Sequence, residues 1–483
     1  MINTPLLPFF AALVVGALTG LAFSASKRLR RGCVALLSLV VIAAFIGRGM
    51  AILSTEPTFG FDLAWVYNAA WNLAEGRGPW SDLLGTSMYG VHGFFLFPLF
   101  LPFYWLIPHI AGFYVAQFCW GLVAVIPAFM FGRRLFDCVE CGIMVSLLYL
   151  LHPAISGFVL TESQPTIIGV PFLFLYMYAK VAQRPCLMVL AAAVAAMAFE
   201  VFALAIISAG AVEAIRRRKY DSADGAVALA GLLALLLFVM ARPETGWISG
   251  GRHYAAFGGS PAGAVSTLFR EPHIFSQVVF TRTKLGYLAH LFLPVCLLPL
   301  MAPLTLVMAL PEMVLVLLAD PSGDMPKINS FYTHVATVAI LCGACQVISN
   351  WRERLRPVRA LFILLLVATL LQFNYHHTFV PKLGVSWSGA LNFAANGPFK
   401  TISPTVVPEG STMTVLDPRL AWRFPRRRVV VVHNWLSPHR AHQFAEHGIE
   451  TDYLVLARGE PAPDTGAWIT WDRDSSVDIY RRK

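Results

Sequence analysis

The chain has 483 residues, of which 57% are hydrophobic and 13% are charged, and its mean hydropathy is +0.64. Ordinary soluble domains carry about 25% charged residues, so this composition excludes a soluble globular protein and predicts a polytopic membrane protein. The formal net charge of +10 does not predict nucleic-acid binding, because most Lys and Arg residues stand in short clusters beside apolar runs, where they orient helices and meet anionic lipid head groups.

Long apolar runs follow one another along the chain. A helix needs about 20 residues to cross the hydrocarbon core of a bilayer, and runs of roughly this length occupy residues 5–23, 33–53, 110–131, 140–159, 166–182, 224–241, 331–349 and 358–374. The first run is interpreted as a retained helix, since the basic cluster at 27–31 follows it instead of preceding it, as it would in a signal peptide. With the broken runs below, the chain predicts a mainly α fold, a bundle of about 10–12 membrane segments.

Three apolar runs are interrupted. Residues 92–107 contain three prolines and are predicted to re-enter the membrane without crossing it, whereas 187–214, with Glu200 in the middle, and 286–319, with four prolines, are predicted to be helical hairpins. This topology puts every basic cluster on the cytoplasmic side, as short loops prefer. A crossing by 92–107 stays open as the alternative, and it would place one of the basic clusters outside.

The tail differs from the rest of the chain in composition. Residues 1–374 are predicted to form the transmembrane domain, with outer loops at 54–91 and 243–285. The remainder, 375–483, is polar and rich in Pro, Arg and His, and is predicted to be a small α/β domain on the outer face. Its strand-like runs, spaced by helix-compatible stretches, lie at 413–416, 429–433 and 453–457.

Cysteines and histidines raise the question of a metal site. The pairs Cys138/Cys141 and Cys342/Cys345 could supply four thiolates to zinc. They border apolar segments without the turns of a zinc ribbon, so helix packing is the favoured interpretation. The tail histidines match no standard ligand spacing and are interpreted as solvated or packing side chains: His433, His439, His442 and His447. No cofactor is predicted, and a divalent metal ion stays open.

The first outer loop contains a candidate carboxylate. Helical spacing places Asn68, Asn72 and Glu75 on one face of a short helix, which is predicted to lie on the bilayer surface. Asp62 stands at the beginning of this helix. From the residues alone two roles remain, a helix cap that accepts backbone N–H bonds and a base that takes a proton from an acceptor hydroxyl.

Other polar residues are predicted to gather on the same outer face. Glu200 lies in an otherwise apolar stretch, where a carboxylate costs about 2.5–3.5 kcal/mol unless it is paired, protonated or facing water. His92, Glu162 and His334 stand at the ends of predicted helices, where solvation is the ordinary role of such residues. Arg48, together with Arg270 and Lys284, adds positive charge on this side, either to snorkel toward head groups or to bind the phosphate of a lipid-linked donor.

The order of these motifs resembles the DUF2079 family of predicted bacterial and archaeal membrane proteins. The resemblance runs from about residue 40 onward. In the membrane part it rests on Phe61-Asp62-Leu63, Trp71-Asn72-Leu73, His92-Gly93-Phe94, Phe97-Pro98, Tyr104-Trp105-Leu106, the Glu162 turn, Phe199-Glu200 and Phe331-Tyr332-Thr333-His334. In the tail it rests on 402–408, 411–415, Pro418-Arg419-Leu420 with Arg423, and Asp452-Tyr453-Leu454-Val455.

This family in turn resembles the GT-C superfamily of membrane glycosyltransferases. The resemblance implies a sugar transfer on the outer face of a bacterial plasma membrane, from a polyprenyl-phosphate donor to a lipid or polysaccharide acceptor. It also implies that Asp62 is the catalytic base. The other polar residues expected on the same face, His92, Glu162, Glu200, His334 and Arg48, are then interpreted as substrate-binding residues.

The chain departs from the family pattern at three places. It reads Val91-His92 where an acidic residue often precedes the His, Leu160 to Ser163 where the family has Phe-x-Phe-His, and Phe199-Glu200-Val201 where it has Lys-Glu-Asp. These departures leave a degenerate or differently specific site open. A non-catalytic membrane protein, a transporter or an envelope assembly scaffold, is the alternative function.

Overall fold

The computed structural model describes the following residues: 31–32, 35–36, 38–39, 41–42, 61–107, 111–158, 164–217, 222–241, 254–259, 261–319, 332–352, 356–376, 411–415, 428–431, 453–457, 468–473 and 477–482. Up to residue 376 these residues are mainly helical. The helices of the first half are α1 Phe61–Ala74, α2 Met88–His92, α3 Leu101–Leu106, α4 Ala111–Val123, α5 Val125–Phe136, α6 Val139–Leu151, α7 Pro153–Phe158, α8 Gly169–Val181, α9 Pro185–Ala196, α10 Glu200–Arg217 and α11 Ser222–Ala241.

The second half of the bundle is shorter and more broken. Its helices are α12 Pro261–Arg270, α13 Pro272–Val279, α14 Arg282–Phe292, α15 Pro303–Leu306, α16 Leu310–Leu318, α17 His334–Asn350 and α18 Pro357–His376. Single 3-10 turns lie at Phe97–Phe100, Pro165–Ile168, Ala255–Phe257, Leu293–Val295 and Leu298–Met301. Each proline of 286–319 stands in the first turn of a short helix or a 3-10 turn, where its missing N–H is not needed.

The predicted hairpin at 187–214 is confirmed, since α9 and α10 are separate helices joined by residues 197–199. The stretch 286–319 is more broken than the predicted pair of helices, because it folds into the end of α14, two 3-10 turns, α15 and α16. Glycine allows α10 and α11 to pack closely, because a Cβ on Gly231 would lie 2.8 Å from the carbonyl oxygen of Ala203. Such small-residue contacts are typical of helices that pack within a membrane.

α8 and α10 define the two ends of the bundle. The first residue of α8, Gly169, lies against Phe202 near the start of α10. Lys180 in the last turn of α8 forms an ion pair of 2.6 Å with Glu213 of α10. Eleven residues of helix, a rise of about 17 Å, separate the two contacts. The end at Lys180 is called the basic end, and the end at which α10 begins is called the site end.

Residues 92–107 begin and end at the site end. His92 contacts Glu200 at the start of α10. At the other end of the segment, Tyr67 of α1 contacts both Tyr104 of α3 and Phe113 of α4, each with ring centroids 5.6 Å apart, and Trp65 of the same helix stacks on Phe94. Between these points the chain forms only a 3-10 turn and the six residues of α3, which is consistent with the predicted re-entrant segment.

Two helical stretches of the described part are long and apolar enough to cross a membrane, Gly112–Phe136, formed by α4 and α5, and Ser222–Ala241. Shorter apolar helices of 10–17 residues occupy Phe97–Leu106, Val139–Leu151, Pro165–Val181, Pro185–Ala196 and His334–Asn350. The predicted run at 5–23 and the part of the run 33–53 beyond residue 42 lie outside the described residues, while residues 35–36, 38–39 and 41–42 of the second run are helical.

The described residues of the tail form a mixed five-stranded sheet. Its strands are β3 Thr412–Val415, β4 Arg428–Val431, β5 Tyr453–Ala457, β6 Trp468–Arg473 and β7 Val477–Arg482. The first two strands of the chain, β1 Trp80–Ser81 and β2 Thr86–Ser87, form a separate hairpin. The order in the five-stranded sheet is β4-β3-β5-β7-β6, parallel from β4 to β5 and antiparallel from β5 onward. The three predicted strands are thus confirmed, whereas the helices predicted between them, and the four tail histidines, lie outside the described residues.

Candidate functional site

The structure brings together two of the predicted site residues, His92 and Glu200. Nδ1 of His92 lies 3.1 Å from Oε1 of Glu200, and the two side chains are 10% and 11% exposed. His92 is the last residue of α2, and Glu200 is the first residue of α10, where a carboxylate interacts favourably with the helix N-terminus. A paired carboxylate explains how Glu200 is tolerated in an apolar stretch.

A glycine sets the chain direction after His92. Gly93 caps α2 with a φ of +60°, a left-handed conformation that is strained for other residues. A Cβ at this position would also lie 3.2 Å from Cδ2 of Phe238 in α11. The turn at Gly93 therefore places His92 and Phe94 side by side at the site end.

Aromatic rings enclose the His92–Glu200 pair. His92 and Phe94 both contact Phe199, with ring centroids 5.3 and 5.7 Å apart, and Phe94 stacks on Trp65 of α1 at 6.3 Å. Phe199 also contacts Tyr332, two residues before α17, at 5.9 Å. This cluster joins α1, α2, α10 and the approach to α17 around one partly exposed pair of polar side chains.

Tyr254 belongs to the same neighbourhood, although the sequence analysis did not single it out. Burial raises the pKa of the Tyr254 phenol, and the nearby Glu200 carboxylate raises it further. Its hydroxyl donates to the carbonyl of Leu315 in α16 at 3.5 Å. Tyr254 stands in the predicted outer loop 243–285, where nothing in the local pattern marks it, and only the folded chain brings it to Glu200.

His334 lies next to the aromatic cluster and is fully buried as the first residue of α17. The start of this helix is already occupied by a carboxyl group of the protein. Glu312 of α16 accepts from the backbone N–H of Ala336 at 2.6 Å. The sequence analysis missed Glu312, which provides an acceptor for a helix N-terminus that has no side-chain cap of its own.

Asp62 lies in the first turn of α1, three residues before Trp65, so its backbone is one helical turn from the aromatic cluster. Its side chain, and the whole of Glu162 and Arg48, lie outside the described residues. The backbone N–H of Gln164, two residues after Glu162, donates to Oε1 of Gln117 at 2.8 Å. The chain is thereby fixed to α4 directly after the predicted Glu162 turn.

The prediction that the helix of the first outer loop lies on the bilayer surface is wrong. α1 is buried around its circumference, including Trp65, Asn68, Trp71 and Asn72, so it does not present one face to water and the other to lipid. The two asparagines instead hold the hairpin formed by β1 Trp80–Ser81 and β2 Thr86–Ser87. Nδ2 of Asn72 donates to Trp80 O at 2.7 Å and to Asp82 at 3.1 Å, and the Asp82 N–H donates to Asn68 at 2.7 Å.

Lys284 takes neither role that the sequence left open for it. Its side chain is fully buried, and Nζ donates to the carbonyl oxygens of Val278, Leu317 and Ala319 at 2.7, 2.6 and 2.6 Å. The ammonium thus fastens the ends of α13 and α16 to the first turn of α14, while Arg270 is exposed in the last turn of α12. Among the described residues, no group of three or more His, Cys, Asp and Glu side chains is arranged to hold a metal ion.

Comparison with known proteins agrees with the architecture. The family model described as "Predicted membrane protein (DUF2079)" matches residues 57–445. The chain belongs to the DUF2079 family. No curated relative matches it.

Solved structures share the fold of this DUF2079 protein. A crystal structure of ArnT from Cupriavidus metallidurans bound to undecaprenyl phosphate superposes with a TM-score of 0.53 at 12% identity, over 92% of this chain and 97% of ArnT. The apo form of the same protein gives a TM-score of 0.50 at 12% identity, with the same coverage. The chain therefore shares the fold of ArnT, in agreement with the predicted bundle of membrane helices.

Proposed function

We propose that this DUF2079 protein is a membrane glycosyltransferase, which transfers a sugar from a polyprenyl-phosphate donor to a lipid or polysaccharide acceptor on the outer face of the bacterial plasma membrane. The observation that carries the proposal is the partly exposed His92–Glu200 pair, enclosed by aromatic rings at one end of a GT-C-like bundle. The fold likeness to a protein crystallised with undecaprenyl phosphate supports a polyprenyl-linked donor.

The reaction assigns one role to Asp62. Its carboxylate takes the proton of an acceptor hydroxyl as the oxygen attacks the anomeric carbon of the donor sugar. The new C–O bond forms while the bond to the polyprenyl phosphate breaks, and the phosphate leaves with the bonding electrons. The attack inverts the anomeric configuration because nucleophile and leaving group stand on opposite faces of the sugar ring.

The remaining site residues bind and orient the two substrates. Glu200 orients the His92 ring through the contact with Nδ1, and we assign the His92–Glu200 pair to the binding of substrate hydroxyl groups. Phe94, Phe199 and Trp65 offer apolar surface of the kind that packs against sugar rings and prenyl chains. Glu162, His334 and Arg48 complete the substrate-binding set, with Arg48 directed at the donor phosphate. We assign 1–374 to the transferase and 375–483 to a domain on its outer side.

The test is transfer of radiolabelled sugar from native bacterial polyprenyl-phosphate donors into a lipid extract by the purified protein. Asp62→Asn is compared with wild type, and Glu75→Gln is the matched control, since Glu75 is an exposed carboxylate near the end of the same helix. Loss of a general base lowers such rates about 10²–10⁴-fold. We expect that loss for Asp62→Asn alone, with unchanged elution and thermal unfolding. No transfer with any donor would contradict the proposal and favour a transporter or scaffold.

A further inference from the structure

The turn between α5 and α6 contains a pair of thiols that the proposed reaction does not use. Cys138 is the N-cap residue of α6, and Cys141 follows in the first turn. Sγ of Cys138 accepts from the backbone N–H of Cys141 at 3.3 Å, and the Cys141 side chain donates a second hydrogen bond to it. The pair follows Arg133 and Arg134, the last basic residues of α5.

The two thiols differ in access. Cys138 is partly exposed, whereas Cys141 is 1% exposed. A pair of this kind, with an outer thiol at a helix N-terminus and a buried thiol three residues later, has the order needed for thiol–disulfide exchange: the outer sulfur attacks, and the inner sulfur resolves the mixed disulfide.

The surroundings of Cys138 favour its thiolate. Hydrogen bonds from the Cys141 side chain and backbone lower the pKa of Cys138 to about 7, against the opposing effects of burial and of the neighbouring Glu140 carboxylate. The neighbouring Glu140, which accepts from Cys138 at 3.5 Å, is itself held by Arg31 at 3.4 Å. A thiolate is the nucleophilic form of cysteine, so Cys138 has the chemistry of an attacking thiol.

The second C-x-x-C pair lacks these features. Cys342 and Cys345 lie inside α17, both fully buried, so neither stands at a helix N-terminus or reaches solvent. The same spacing therefore occurs twice, once in a reactive setting and once in a packing role.

We propose that Cys138 and Cys141 form a reactive dithiol, which low-molecular-weight disulfides convert to an intramolecular disulfide. The Cys138 thiolate attacks the small disulfide, forms a mixed disulfide and expels one thiolate, which takes up a proton. Cys141 then loses its proton and attacks Sγ of Cys138, which expels the second thiolate. Two protein thiols and one small disulfide thus yield one protein disulfide and two small thiols. Exchange with a reduced dithiol reverses the sequence.

The test uses the full-length protein in detergent, reduced and then exposed to glutathione disulfide. Remaining thiols are alkylated, and peptides are read by mass spectrometry. In the wild type we expect the peptide that holds Cys138 and Cys141 to lose two hydrogen atoms and to resist alkylation until it is reduced. The peptide that holds Cys342 and Cys345 stays reduced in the same sample, which makes it an internal control.

Two serine variants separate the roles of the thiols. In Cys141→Ser, we expect the exchange with glutathione disulfide to stop at a glutathione adduct on Cys138. In Cys138→Ser, we expect Cys141 to stay unmodified. Serine is a favoured N-cap residue, so Cys138→Ser retains the start of α6. Free thiols on both residues of the wild type after prolonged exposure, or an adduct on Cys141 in Cys138→Ser, would overturn the proposal. None of these measurements depends on sugar transfer.

Discussion

Nδ1 of His92 and Oε1 of Glu200 lie 3.1 Å apart, although 108 positions separate the two residues in the chain. At the site end, this contact holds the short helix α2 against the first turn of α10. Neither residue stands in a recognisable catalytic motif, and their significance comes from the pairing.

The contact between His92 and Glu200 predicts that substitutions of the two residues have non-additive effects on sugar-transfer activity. Glu200→Leu removes the carboxyl group and His92→Gln removes the imidazole ring, so each single variant loses the contact between them. The double variant should therefore lose little more transfer activity than the worse single variant. Residues in one hydrogen-bonded network typically couple by about 0.5–3 kcal/mol. The measurement is the initial rate of sugar transfer by the four proteins of a double-mutant cycle.

A distant pair provides the control for that cycle. Lys180 and Glu213 form an ion pair at the basic end, so Lys180→Met should combine additively with His92→Gln. Additive losses for His92 with Glu200 as well would show that the two side chains act separately.

Gly169→Ala should displace the segment that contains Glu200, because Gly169 at the start of α8 packs directly against that segment. A Cβ at Gly169 would lie 2.5 Å from Cε1 of Phe202 and 2.8 Å from Cβ of Ala198. Ala198 cannot turn away, since its Cβ is fixed to the backbone, so α8 must move from the segment that leads into Glu200. Overpacking of this kind costs about 1–3 kcal/mol, and we expect a lower unfolding temperature together with slower transfer.

Gly121→Ala is the matched control. A Cβ at Gly121 would meet no heavy atom of the described chain within 4 Å, apart from its own helix backbone and its chain neighbours. Alanine is favoured over glycine inside a helix by about 0.5–1 kcal/mol, so this variant should be as stable as wild type or more so. Equal stability of the two variants would contradict the close contact at Gly169.

The membrane helices and their breaks follow from the sequence because apolar length, proline and charge act locally. The hairpin around Glu200 and the three tail strands were predicted for this reason. The surface helix at 61–74 was predicted wrongly, because the spacing of Asn68 and Asn72 is the same whether the amides face water or a folded hairpin. Only the position of Asp82, which is set by β1 and β2, distinguishes the two.

The candidate site was predictable in part. Glu200 was recognisable as a carboxylate in an apolar run, and His92 as a histidine at the start of a broken one. Tyr254 and Glu312 were not, because each owes its significance to a partner far away in the chain. A single sequence contains no signal for such long-range pairs.

Glu312 should stabilise α17 through its oxygen atoms. Glu312→Gln retains an acceptor for the backbone N–H of Ala336, while Glu312→Leu removes it. We expect little change in the free energy of unfolding for Gln and a loss of about 1–3 kcal/mol for Leu, because a buried donor is then left without an acceptor. Denaturant titration of the purified proteins measures the free energy of unfolding of each variant and so ranks them against wild type. A Leu variant as stable as wild type would show that the cap contributes nothing.

Lys284→Met should loosen the segment that holds Tyr254 near Glu200. Methionine fills similar space but leaves the carbonyls of Val278, Leu317 and Ala319 without the ammonium that now joins them. Buried acceptors that lose a charged donor cost about 1–3 kcal/mol each, so we expect a total of about 3 kcal/mol or more. The readouts are thermal unfolding and protease cleavage between 254 and 284.

Arg282→Met is the matched control, since Arg282 stands two residues earlier at an exposed position of α14. This variant should change neither the unfolding temperature nor the rate of cleavage. Because Leu315 of α16 also accepts from Tyr254, faster cleavage in Lys284→Met together with slower sugar transfer would show that this buried cation supports the site from outside it.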